Sequence, residues 1–120
     1  MVDLQLSAEF DEIEWQPHPT LVGIEVKLLQ NKNGFSPKDV MVARVAPSSE
    51  IPWHVHAAES EIAFVIQGTG ILYTAVNEAR EAFSATPLAV GNAIVVPPKL
   101  WHCVKNVGSG DLMLFASHTS

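Results

Sequence analysis

The chain has 120 residues, a formal net charge of −6 and an apolar fraction of 48%. That length suits one domain with a real core, the apolarity excludes a disordered chain, and the negative charge argues against a surface that tracks nucleic-acid phosphates. One cysteine, Cys103, excludes an intrachain disulfide. Met1 to Gln5 carries no basic region followed by an apolar core, and the longest apolar runs are about five residues against the roughly 20 that cross a bilayer. The expectation is therefore a cytoplasmic protein with neither nucleic acid nor membrane as partner.

Asp3 to Trp15 alternates loosely between polar and apolar residues, and Pro17 and Pro19 close the stretch. Residues 1–20 read as N-terminal edge strands and loop, although Asp11-Glu12-Ile13-Glu14 also suits the start of a helical turn. His18, between two prolines, reads as a solvated loop histidine. Leu21 to Gln30 is a strand candidate, Asn31-Lys32-Asn33-Gly34 a turn, and Phe35 to Asp39 a loop. Val40 to Ala46 is apolar on both faces, as a strand inside a barrel sheet would be. Arg44 breaks that run. Facing inward it would clamp a carboxylate through two hydrogen bonds; facing outward, the favoured phase, it would pair with a surface acid.

Pro52-Trp53-His54-Val55-His56-Ala57-Ala58-Glu59-Ser60-Glu61 organises the rest. On a strand, residues i and i+2 share a face, so His54 and His56 project side by side roughly 6–7 Å apart. Two imidazoles at that spacing can converge on one ion, although a His-X-His pair alone fits a structural role as well. Ala57 to Ser60 suits a tight turn, and a hairpin there would return Glu61 to the histidines at the start of the strand Ile62 to Ile66. Glu59 reads as solvated. Gly68-Thr69-Gly70 reads as a hairpin turn and Ile71 to Val76 as a strand. Residues 77–82 suit either a short helix capped by Asn77 or, preferred because the flanks are β-like and the segment short, a hairpin tip. Thr86-Pro87 reads as a strand break. Gly91-Asn92 turns the chain into Ala93 to Val96, which Pro97-Pro98 ends. Trp101 to Val107 follows, and Asp111 to Ser117 is the last strand. His102 is a fourth candidate donor. Alternation from it puts Val104 inward and Cys103 outward, as a packed residue and not a nucleophile. Trp53 and Trp101 have parity opposite to the neighbouring histidines and read as exterior cover. Many short strands and no long helix point to an all-β barrel or sandwich.

His54-Val55-His56, four residues, Glu61, six residues and Gly68 resemble the first motif of the cupin family. Gly91, five residues, Pro97, His102 and Asn106 resemble its second, and the two cover about half the chain. The resemblance implies a single cupin domain over residues 1–120: an all-β, jelly-roll-like double-stranded β-helix barrel. It implies a divalent transition metal (Fe, Mn, Ni, Zn, Co or Cu) held by His54, His56, Glu61 and His102. Two positions depart from the family pattern, where glycines give way to Ser48 and Lys99. A glycine there serves a backbone with positive φ, so Lys99 implies strain or another loop path.

The donors do not choose among these metals. The expected function is a small metalloenzyme of dioxygenase, isomerase or lyase type acting on a small oxygen-rich or carboxylate metabolite. The alternative is a non-catalytic, metal-containing binding protein. No catalytic group beyond the ligands is legible. A homodimer is expected from the apolar fraction and the habit of the family.

Overall fold

The protein is described by a computed structural model that covers residues 7–35 and 39–119. Among the described residues, a 3-10 turn (Phe10–Glu12) is followed by ten strands: β1 (Gln16–Pro17), β2 (Glu25–Leu28), β3 (Val40–Val45), β4 (Glu50–His54), β5 (Ser60–Gln67), β6 (Gly70–Ala75), β7 (Phe83–Leu88), β8 (Ala93–Val96), β9 (Trp101–Asn106) and β10 (Leu112–Thr119). They form two sheets, in the orders β1-β2-β3-β10-β5-β8 and β4-β9-β6-β7. Every pairing is antiparallel. This is the all-β, two-sheet architecture that the motifs imply.

Alternation decides what fills the space between the sheets. Met41, Ala43 and Val45 of β3, Ala63 and Val65 of β5, and Leu112, Leu114 and Ala116 of β10 all join one buried apolar cluster. A fully covered side chain such as Leu112, with no exposed surface, contributes about 1.5–3 kcal/mol. The apolar outer face of β3 has a separate cause. The N-terminal segment lies over it: the Lys27 ammonium donates to the Phe10 carbonyl at 2.7 Å and sits 3.9 Å from the Phe10 ring centre. Arg44 faces out, as favoured, bonding Glu25 at 2.7 Å with its guanidinium 4.0 Å over the Trp15 ring.

Four sequence expectations are corrected. Among the described residues before Pro17, the chain makes the 3-10 turn and an edge strand of only Gln16–Pro17, not several edge strands; residues 1–6 lie outside the described set. Within Leu21 to Gln30 the strand shortens to Glu25–Leu28. β7 runs through Pro87, as an edge strand can, because it has a neighbour on one side only. The fourth concerns two supposed hairpins. β4 and β5 lie in opposite sheets, and so do β5 and β6. The turns after His56 and at Gly68 are crossings between sheets. Gly68 needs its φ of +86° there, and a Cβ would stand 2.6 Å from the Asp111 carbonyl.

Asn106 explains its place in the second motif. It is buried, its amide donates to the Val45 and Gly110 carbonyls, both at 2.9 Å, and its oxygen accepts from Gly108 N–H at 2.9 Å. Ser48 and Lys99 keep the glycine-like path, with φ of +65° and +69°. Each carries a strain of about 1–2 kcal/mol for a left-handed non-glycine residue. The strained Lys99 donates its N–H to the His56 carbonyl at 2.7 Å, tying the loop before β9 to the segment after β4.

Candidate metal centre

His54, His56, Glu61 and His102 come together: one donor atom from each lies within 4.8 Å of all the others. The routes differ. His102 points inward from β9 by simple alternation with Val104, and its side chain has no exposed surface. His54 stands opposite His102 only because the β4–β9 register slips between Ile51 and His54. That β-bulge at Pro52-Trp53 inserts one residue and restores the inward phase, so Ile51 and His54 both face the lumen. Trp53 is turned to the outside against Tyr73, with ring centres 6.4 Å apart. Glu61 arrives from β5, across the barrel. Its Oε1 is 3.7 Å from His56 Nε2 and its Oε2 is 3.8 Å from His102 Nε2.

Hydrogen bonds behind the rings fix their tautomers. His54 Nδ1–H donates to the Pro52 carbonyl at 2.7 Å, and His102 Nδ1–H to the Leu100 carbonyl at 2.9 Å. The Nε2 atoms of neutral rings so held carry their lone pairs, as metal-binding imidazoles require. His56 Nε2 and His102 Nε2 are buried and have no hydrogen-bond partner among the described residues. An orphaned buried polar atom costs about 1–3 kcal/mol. Two of them facing one carboxylate fit a site completed by a cation.

The electrostatics agree. Burial, helped by His54 and His56 and opposed by the Leu100 bond and Glu61, pushes the His102 imidazole down to about 4. Burial also lowers His56, against the pull of Glu61. For Glu61, burial pushes upward but is outweighed by the bond from His118 and the neighbouring histidines, so the carboxyl lies below its ordinary value.

A cavity of about 380 Å³ opens beside these groups. Met41, Ile51, Ala63, Ile94 and Leu114 make its apolar wall, and all five histidines of the chain reach it. Among the described residues, no lysine or arginine lines it. Three polar residues depart from the sequence reading. Glu59 is half-buried and lines the cavity. His18 is not a free loop histidine: its Nδ1 accepts the N–H groups of Thr20 and Leu21 at 3.1 and 3.0 Å, and its ring lines the cavity. His118, which the sequence reading missed, lies 2.9 Å from Glu61 Oε1. Cys103 is packed, as expected. Its thiol donates to Glu50 at 2.8 Å, and burial with that carboxylate pushes it up to about 12, far from a reactive thiolate.

Residues 41–118 match the cupin domain family. The chain is 33% identical over 86 residues to auxin-binding protein 1 of Arabidopsis thaliana; the stretch covers 68% of this chain and only 42% of that protein's length. The Drosophila melanogaster CENP-C cupin domain superposes with a TM-score of 0.77 at 13% identity, over 99% of this chain and 84% of that one. A predicted oxalate decarboxylase from Thermotoga maritima superposes with a TM-score of 0.74 at 20% identity, over 94% and 97%. At these identities the two structures speak to fold alone. No helix among the described residues is long and apolar enough to cross a membrane.

Proposed function

Since the chain belongs to the cupin family, we propose that it holds one divalent transition metal on His54, His56, Glu61 and His102 and turns over a small molecule in the adjoining cavity. The observation that carries this is the pair of buried, unpartnered Nε2 atoms of His56 and His102 gathered with His54 and Glu61. Such an ion, when bound, supplies Lewis acidity and, if redox-active, oxygen activation. The chain supplies the rest. The Pro52 and Leu100 carbonyls hold two imidazoles in the tautomer that presents Nε2. The apolar wall takes the body of the ligand and excludes water. With no lysine or arginine to meet a second anionic group, the cavity favours a molecule with one oxygen-rich or carboxylate head and an apolar body.

The competing reading is a binding protein without turnover. It is favoured by the 33% identity to a relative named for binding auxin, whereas the Thermotoga structure is described as a predicted decarboxylase. Fold alone does not decide between them. The test loads the protein with Fe, Mn, Co, Ni, Cu or Zn and challenges each form with 2-oxo acids, catechols and diketones, with and without oxygen. About one ion per chain, a ligand-induced spectral change and conversion of at least one compound are expected. Protein that stays metal-free overturns the proposal. Compounds that bind and are all recovered unchanged replace it with the binding reading.

A homodimer belongs to the same proposal. On the outside of the six-stranded sheet, Ile62, Phe64 and Ile66 of β5 lie 37–45% exposed, with Val95 of β8 directly opposite Ile62. Such an apolar stripe beside an edge strand suits a second copy of the chain. Sedimentation at micromolar concentration should give twice the chain mass, and Phe64→Glu should give the monomer; a monomeric wild type refutes the dimer.

A further inference from the structure

β10 lies antiparallel to β5 with His118 directly opposite Glu61. Leu112, Leu114 and Ala116 face the core, and the same alternation carries His118 to the inner face. Both side chains are mostly covered, 13% and 16% exposed. The strand end is held in place where His118 N–H donates to the Asp39 carbonyl at 3.3 Å. His118 is not one of the four converging donors. Its Nε2 is spent on Glu61 Oε1 at 2.9 Å, and a ring that donates through that atom has no lone pair there for an ion.

We propose that His118 is a positioning residue for the metal centre: its Nε2–H grips Glu61 Oε1 and leaves Oε2 as the oxygen offered to the ion. This rests on the metal reading above. The physical case is that Glu61 stands alone on its side of the barrel. The three imidazoles come from one sheet and its connecting segment, and two of them are braced by backbone carbonyls. The carboxylate comes from the facing sheet, on a side chain with three rotatable bonds, and its brace is His118. Without the grip, both oxygens compete for the same space between His56 Nε2 and His102 Nε2, at 3.7 and 3.8 Å. With it, one orientation is selected before any ion arrives. Partners of this kind are worth about 10–100-fold in metal affinity.

The experiment compares wild type with His118→Leu, which removes the donor, and His118→Gln, which keeps an N–H. Co(II) affinity is measured by competition with a chelator, and the Co(II) absorption spectrum reports the ligand field. The leucine variant should bind Co(II) about 10–100-fold more weakly with a changed spectrum, and glutamine should restore most of both. If the leucine variant does not fold, His118→Ala is read in its place. Wild-type affinity and spectrum in the donor-free variant overturn the proposal alone. A glutamine variant as impaired as the leucine one assigns the effect to packing and also overturns it. Wild-type protein that takes up no Co(II) overturns the metal reading as well.

Discussion

His102→Leu is expected to abolish stoichiometric metal binding and to leave a folded apo protein at least as stable as wild type near neutral pH. The imidazole is wholly covered and its Nε2 has no partner, so in the apo protein it costs about 1–3 kcal/mol that an apolar side chain does not. Leucine is of similar bulk and meets the apolar wall. The change forfeits the Nδ1–H bond to the Leu100 carbonyl at 2.9 Å, about 1 kcal/mol in the other direction. The metal side is larger. A four-donor structural zinc is worth about 10–16 kcal/mol, so one donor in four amounts to about 3 kcal/mol, a hundredfold or more in affinity. Metal content after gel filtration and urea midpoints in chelator measure the two effects. A variant that retains one ion per chain, or that fails to fold, contradicts the expectation.

Acid should destabilise the apo protein steeply, and the same substitution should remove most of the slope. The His102 imidazole sits at about 4 in the fold, against 6.5 when unfolded. Between those values the unfolded chain binds a proton that the folded chain refuses. Stability therefore rises with pH across this window and is lost as pH falls from 6.5 toward 4, about 1.4 kcal/mol per pH unit and about 3 kcal/mol in all. His56 and His18, both lowered chiefly by burial, act in the same direction. His118 is raised by its bond to Glu61, so its contribution is fully present below 6.5 and fades only as pH rises through its folded value. Glu61 is depressed, so its contribution is lost below the ordinary carboxylate range. Urea midpoints at pH 7, 5.5 and 4.5 in chelator give the slope. A flat wild-type profile, or an equal slope in His102→Leu, would sink the argument.

β4 ends at His54, so the strand parity expected of His54 and His56 does not hold, but the four converging residues were legible from their spacing. The route by which they meet was not. A hairpin was the economical way to return Glu61 to His56, yet β4 and β5 pair with different partners, and pairing partners are set by contacts far apart in sequence. His54 faces the lumen by virtue of a bulge that depends on its register with β9. His118 shows the same limit. Its inward parity could be read from Leu112, Leu114 and Ala116, but its meeting with Glu61 depends on a β10–β5 register that shifts at Met113/Leu114. Lys99 was legible as a conflict between residue and backbone, and the structure resolves it as strain, with the glycine-like path kept.

The origin of the donors in two sheets has a mechanical consequence. His54 and His102 stand on neighbouring strands of one sheet, and Glu61 stands on the other. An ion gripped by all of them is a cross-link through the middle of the chain, joining residues far apart in sequence. A protein with a single, buried cysteine has no sulfur bridge for that task. The ion would do it reversibly, shrinking the ensemble of partly opened states as a disulfide shrinks that of an unfolded chain. The region around the four donors would then be held firmly with the ion in place and would open more readily without it.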